Sequence, residues 1–435
     1  MPRIIDLFAG LGGIRLGFQQ AMEELGLETE CVFSSEIKPY AIKAYKGFYG
    51  NQELYGDITK VDTNKDIPDF DYLLAGFPCQ PFSSAGKRNG FADTRGTLFF
   101  EIERILKDKI KSGHPARGFL LENVEGLINH NNGDTLNVII THLEKLGYYV
   151  NFKLLDSKDF GLPQSRKRVY IVGSMDEKIE LNNFEQKESV LGDILQQGLP
   201  TVDTKFTRKL LANYTPQEVM GKSIKDKRGG VNNIHSWDID LKGKTSRLER
   251  ELLSVLLRER RRKHWAKEIG IKWMDGMPLT ERQIRTFFDV PDLHQLLEHL
   301  TEMEYLVYEY PKEQVKDEDG TVKRIPDETK EKGYNIVAGK LSYEFSKILN
   351  TDDIAPTLVA MDVAKLGVVD GNGIRRLTIR ECQRLCGYPD SYSLGMVSES
   401  EAFDLLGNTV CVPVIKEISI RIGRSYLNNA DRRDV

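Results

Sequence analysis

Cysteine is scarce in this chain: Cys31, Cys79, Cys382, Cys386 and Cys411 are the only five in 435 residues, an odd number with no Cys-x-x-Cys pair. Neither a disulfide framework nor a zinc site is expected from that pattern, no metal is called for, and a reducing compartment fits. Long apolar runs are missing too, since none approaches the ~18 residues that a membrane span needs. The first residues lack the charged, then apolar, then small-residue order of a secretory signal. The expected setting is the cytoplasm, without a membrane partner. Nor is there an excess of positive charge, because 61 Lys and Arg face 65 Asp and Glu, for a net charge of −4. Bulk charge therefore does not mark a nucleic-acid binder. Internal repeats and low-complexity tracts are absent as well. What remains is an ordinary globular composition, 40% hydrophobic, with length for roughly two or three domain-sized units.

The N-terminus carries the first positive signal. Arg3 to Phe8 reads as a short buried strand that runs into Ala9-Gly10-Leu11-Gly12-Gly13, and the residues after it open a helix. Glycines at such a turn let backbone approach a ligand and aim amide groups at it. A dinucleotide fingerprint would want glycine at position 15, where this chain has Arg15, so a nicotinamide cofactor is disfavoured. A second strand, Cys31 to Ser35, ends in Glu36. An acid there accepts hydrogen bonds from ribose hydroxyls in folds of this kind, whereas standing alone it reads as a solvated strand end.

A thiol stands on a proline-stiffened segment, Gly76-Phe77-Pro78-Cys79-Gln80-Pro81-Phe82-Ser83, directly after the apolar run Tyr72-Leu73-Leu74. That is where an α/β enzyme places a nucleophile. A free cysteine serves equally as a small buried hydrophobe, and the segment alone leaves both readings open. Glu122 follows the apolar run Gly118 to Leu121 at another strand end, where desolvation raises a carboxyl pKa. Arg166 and Arg168 lie two apart before Val169 to Gly173, hence on one face of a strand. Such a pair can grip phosphate or brace a carboxylate, or it can be a solvated basic end.

Taken together these residues resemble the cytosine-5 DNA methyltransferase family of the bacterial restriction-modification type, and the motifs follow the family's order. They are Asp6 to Gly13, Gly76 to Gln80, Glu122-Asn123-Val124, Gln164-Ser165-Arg166-Lys167-Arg168, Arg380-Glu381-Cys382 with Cys386-Gly387-Tyr388-Pro389, and Gly407-Asn408-Thr409-Val410. The match covers residues 1–175 and 350–425. It implies a Rossmann-like α/β methyltransferase domain and transfer of a methyl group from S-adenosylmethionine to carbon 5 of a cytosine in duplex DNA. Cys79 would add to carbon 6 of a flipped-out base, which turns the ring into an enamine able to attack an electrophilic methyl group. Glu122 would bind ring nitrogen 3, Arg168 would support Glu122, and Arg166 would lie near the base. The resemblance puts Phe8, Gly10, Leu11, Gly12, Glu36, Ile37, Asp57, Ile58, Pro78, Asn408 and Val410 around the cofactor. Transfer-RNA cytosine methyltransferases share these motifs but have a shorter recognition segment than the ~180 residues here. A catalytically silent DNA-binding regulator on the same fold is opposed by the intact Cys79, Glu122 and Arg168.

Sequence recognition in the family belongs to the segment before the last two motifs. The expected organisation is a catalytic part over 1–189, a target-recognition domain over 190–370, a hinge over 371–404, and a return to the catalytic domain over 405–435. Within 242–325 lies a helical insertion whose order of three helices and a hairpin is that of a winged helix. Its third helix is acidic, so the insertion reads as structural with a basic flank. Residues 242–285 hold thirteen Lys or Arg against six Asp or Glu, and residues 286–320 hold two against ten. Arg260 and Arg261 in the basic half are expected on DNA phosphates. So are Ser83, Lys87, Arg88 and Arg95 of the glycine-punctuated loop after Cys79, expected to close over the base. Gln164, Thr357 and Leu358 complete the expected DNA-contacting set. The chain is expected to act as a monomer, associated with the nucleoid and paired in function with a restriction endonuclease without a stable complex.

Overall fold

The computed structural model describes residues 1–50, 53–77, 98–227, 229–316, 322–337, 343–360 and 362–430. They form two units, the larger from residues 1–196, 351–364 and 377–435 and the smaller from residues 197–350 and 365–376.

In the larger unit, β1 (Arg3–Leu7), α1 (Gly13–Glu24), β2 (Glu30–Ser35), α2 (Pro39–Tyr49), β3 (Tyr72–Gly76), α3 (Leu98–Lys111), β4 (Gly118–Val124), α4 (Asp134–Lys145), β5 (Tyr149–Asp156) and β6 (Lys167–Ser174) follow in order. The six strands pair as β2-β1-β3-β4-β6-β5. Contacts among the first four are parallel, and β6 runs antiparallel to both β4 and β5. Successive side chains of a strand point to opposite faces, so a strand covered on both sides must be apolar throughout. Ile5, Leu73, Ala75, Phe119, Leu121 and Ile171 join α3 and α4 in one core. Their neighbours Ile4, Leu74, Leu120, Tyr170 and Val172 enter the other, with Ile14, Phe18 and Met22 of α1 and Val414, Ile415 and Ile418 of the terminal helix Val412–Ala430. The chain's end therefore completes the fold begun at its start, and Gly17 marks how closely. A Cβ there would lie 2.7 Å from the Ile415 side chain.

Two boundaries differ from the sequence expectation. Residues 351–364, expected in the recognition domain, belong to the larger unit, where Ala355 N–H donates to the Pro163 carbonyl and Ser165 N–H donates to that of Ala355. Of the stretch expected as a hinge, residues 377–404 lie in the larger unit as well, with Glu381 accepting from the Gln196 N–H at 2.8 Å.

The smaller unit holds a short mixed sheet and a helical module with its own core. The module runs α5 (Arg247–Glu259), α6 (Lys263–Ile269), α7 (Glu281–Arg285), α8 (Leu293–Glu302), β7 (Leu306–Glu309), β8 (Lys312–Lys316), β9 (Val322–Pro326) and β10 (Gly333–Ile336). Two of its helices begin with reciprocal capping boxes: Ser246 with Glu249 opens α5 and Thr280 with Gln283 opens α7. β10 pairs antiparallel with β7 and, through Tyr334, with Leu279 just before α7. Leaving α6 aside, the order α5, the Leu279 bridge, α7, α8, β7, the β8–β9 hairpin and β10, with β10 paired on both sides, resembles that of a winged helix in which α8 stands as the third helix. Leu252, Leu253, Leu256 and Leu257 of α5, Ile284, Leu293, Leu297, Leu300 and Trp237 form its core.

Candidate active site

The parallel strands deliver their carboxyl ends to one place, and a strand-order reversal between β1 and β3 opens a crevice there. A cavity of about 530 Å³ occupies it. Phe8, Gly10, Leu11, Glu36, Ile37, Asp57, Ile58, Asn408 and Val410 all line it, as do Glu122, Arg166 and Arg168. Gly12 does not: it is the N-cap of α1, at φ 68°. A side chain at Gly12 would place Cβ 2.4 Å from the Tyr49 ring, so that turn admits glycine alone. Pro78 and Cys79 lie outside the described residues, together with Ser83, Lys87, Arg88 and Arg95.

The cofactor-facing half is held by backbone and tyrosines. Phe8 sits at φ 54°, a strained conformation for a bulky residue that persists where surrounding structure enforces it. Glu36 accepts from the N–H groups of Gly10 (2.8 Å), Ile37 (2.8 Å) and Lys38 (2.9 Å). A carboxylate has about four acceptor positions, so about one remains for a ligand hydroxyl. Asp57 takes the Thr59 N–H and hydroxyl on one oxygen, which holds its carboxyl below the usual range. Beneath the loop, Arg15 donates to the Tyr45 hydroxyl at 2.9 Å and lies 4.0 Å from the Tyr49 ring centre. The position where a dinucleotide fingerprint has its third glycine is thus filled by a buried cation. Burial pushes the neighbouring Asp6 carboxyl up to about 7, against the pull of Arg15.

At the other end, Glu122 stands beside Gly76 in the β3–β4 register, three residues before Cys79. Arg168 Nε lies 3.1 Å from Glu122 Oε1, with only 15% and 12% of the two side chains exposed. Burial pushes the Glu122 carboxyl above its ordinary value, while Arg168 and Arg166 pull it back. Asn123, which sequence reading named only as part of a motif, is buried and donates from Nδ2 to the Phe77 carbonyl at 3.0 Å. It ties the end of β4 to the chain just before Cys79. Its amide, flanked by two strand-end signals, was the clue available in the sequence.

Other expectations need correction. Arg166 lines the cavity, yet its guanidinium is committed to the carbonyls of Leu358 (2.9 Å), Gly407 (3.1 Å) and Thr409 (2.6 Å). It is a brace for residues 407–409 before anything else, and only its Nε–H has no acceptor among the described residues. Gln164 is fully buried, donating to the Leu385 carbonyl and accepting from the Leu358 N–H, so it faces no groove. Leu358 is itself buried, and Thr357 spends its hydroxyl on the Ser165 carbonyl. Replacing Arg166 by Met would orphan three carbonyls at a cost of about 1–3 kcal/mol each. A fall in Tm and a rise in KM for the methyl donor exceeding the change in kcat are expected, with partial rescue by Arg166→Lys; thermal melts and steady-state kinetics check this.

A family profile described as C-5 cytosine-specific DNA methylase matches residues 2–424. This chain belongs to that family. The methylase is 54% identical over 427 residues to the type II methyltransferase M.NlaIV of Neisseria lactamica, covering 97% of this chain and 98% of that protein. It is 42% identical over 451 residues to M.HgiCI of Herpetosiphon aurantiacus, covering 98% of each. The solved structure of the S. pombe Dnmt2 methyltransferase aligns at TM-score 0.54 and 16% identity, over 99% of both chains. The methylase thus transfers methyl groups from S-adenosylmethionine to carbon 5 of cytosine in DNA. The cavity fits that donor: the N-terminal end of α1, with Gly13 and Ile14 on the cavity wall, favours a carboxylate, and Glu36 offers an acceptor to a hydroxyl.

Among the described residues, no helix is long and apolar enough to cross a membrane.

Proposed function

We propose that the methylase modifies one cytosine within a specific duplex sequence, with Cys79 as nucleophile and Glu122 as the group that binds and protonates the ring. The observation that carries this reading is the Glu122–Arg168 pair at the cavity end next to Gly76. S-adenosylmethionine, when bound, supplies the electrophilic methyl group. The chain's own residues do the rest. Cys79 adds as thiolate to carbon 6, Glu122 donates to ring nitrogen 3 as negative charge develops there, and Arg168 keeps the carboxyl oriented; once carbon 5 carries the methyl group, loss of its proton to solvent restores the 5,6 double bond and expels the Cys79 thiolate. A protonated carboxyl is what that donation needs, and burial favours it. The other four cysteines support the choice of Cys79. Burial raises the pKa of Cys31, Cys382 and Cys411, and pushes that of Cys386 up to about 12, so none is a ready thiolate.

Extrusion of the target base from the stack follows from geometry, because carbon 6 in a duplex is out of a side chain's reach. The smaller unit is the target-recognition domain in this reading, and the enzyme works as a monomer in the cytoplasm, on nucleoid DNA, alongside a restriction endonuclease that shares its site. The test is transfer from labelled donor to duplex DNA, single-stranded DNA and transfer RNA in parallel. Incorporation into duplex DNA alone is expected; preferential labelling of transfer RNA would overturn the substrate assignment.

A further inference from the structure

The winged-helix module carries its charge in an unusual place. In such modules the third helix and the hairpin are the elements that meet DNA. Here the exposed residues of α8 include Glu298 and Glu302, with Asp292 just before it, and its His294 is tied to Glu281 at 2.8 Å. The segment joining β8 to β9 reads Asp317-Glu318-Asp319-Gly320 in the sequence. Phosphate would repel α8 and the joining segment, whereas the hairpin strands, with Lys323 and Arg324 exposed, balance that charge.

Positive charge collects instead at the turn from α5 to α6 and the loop behind it. Arg258, Arg262, Lys263, Lys267 and Lys272 are exposed. Apart from Arg262, 3.5 Å from Glu259, none has a carboxylate partner among the described residues. Arg260 and Arg261, expected on DNA, have another task. Arg260 is 3% exposed and donates to Asn335 Oδ1 of β10 at 2.7 Å, which pins the turn to the sheet. Its surroundings depress its pKa to about 10, chiefly through burial. Arg261 pairs with Asp275 at 2.5 Å. Trp273 closes the arrangement: its indole N–H donates to the Arg261 carbonyl at 2.9 Å, while 44% of the residue stays exposed. Two arginines are thus spent on holding the turn rigid, and the cations beside them are left to the solvent around an apolar ring.

We propose that this turn surface, and not the third helix of the winged helix, is where the module holds the sugar-phosphate backbone of duplex DNA. The proposal rests on DNA being the substrate. Phosphate contacts give affinity without sequence information, and each contributes close to one unit to the slope of log affinity against log salt.

The experiment compares the wild type with the triple variant Arg262→Ala, Lys263→Ala, Lys267→Ala and with the double variant Glu298→Gln, Glu302→Gln. All five side chains are exposed, so folding is preserved, and thermal melts confirm it. For the triple variant, affinity for duplexes of any sequence should fall roughly 10- to 100-fold near physiological salt, and the salt slope by up to ~3 units. The methylated sequence and kcat at saturating DNA should stay the same. The double variant should bind at least as tightly as wild type. Unchanged affinity and slope in the triple variant, a shifted methylation site, or weakened binding in the double variant would each overturn the proposal. Absence of duplex methylation by the wild type would instead defeat the substrate reading beneath it. A single variant separates the two roles of adjacent arginines: Arg260→Ala should lower Tm, whereas Arg262→Ala should not.

Discussion

Alanine in place of Cys79 is expected to abolish methyl transfer while leaving duplex binding intact. The thiolate enters only the chemistry, whereas affinity is dominated by phosphate contacts. Among the described residues no cysteine offers a substitute, because burial raises the pKa of Cys31, Cys382, Cys386 and Cys411. Radiolabel transfer and gel-shift titration check the two halves separately. Residual turnover above a few per cent of wild type would remove Cys79 from the role of nucleophile.

The Glu122→Gln variant should lose roughly two to four orders of magnitude in turnover, since a general acid contributes about that much. An amide can still donate a hydrogen bond but cannot yield a proton, and it leaves Arg168 with no counter-charge in a site where both side chains are mostly covered. Donor affinity should change little, because Glu36 follows β2 and Asp57 caps a short 3-10 helix, both away from β4. The pH profile supplies the sign. Burial raises the Glu122 pKa, and the protonated form is the active one, so kcat/KM should fall as pH rises through that raised value. Ionisation of Cys79 gives the opposite, rising limb. The variant should keep the rising limb and lose the falling one. Collapse of donor affinity in calorimetry, with the falling limb still present, would place Glu122 in the cofactor pocket.

The site was legible where chemistry demands a particular residue type at a strand end. Runs such as Ile4-Ile5 and Leu120-Leu121 announce strands covered on both faces, and the acids and glycines that end them fall on the crevice. The terminal helix was readable from its apolar face, though it runs on to Ala430. Burial of long polar side chains was not legible. Arg166 finds its partners 192 to 243 positions away along the chain, at Leu358 and Thr409, and nothing local reveals that. Arg260 and Arg262 look alike in the sequence; one turn of geometry buries the first and exposes the second. Helical spacing counted from Leu248 misses the buried stripe of α5: Leu248 is 39% exposed, while Leu253 and Leu257 are buried. The winged helix was visible as an order of helices, but the pairing of Leu279 with Tyr334 that completes its sheet is a single long-range bridge.

Mapping 5-methylcytosine by bisulfite sequencing in DNA from cells that express this chain, beside cells that express Cys79→Ala, tests the central claim most directly. The account predicts protected cytosines at one recurring sequence with the wild type and none above background with the variant. Conversion of every cytosine in the wild-type sample, with the protein folded and present, would contradict it.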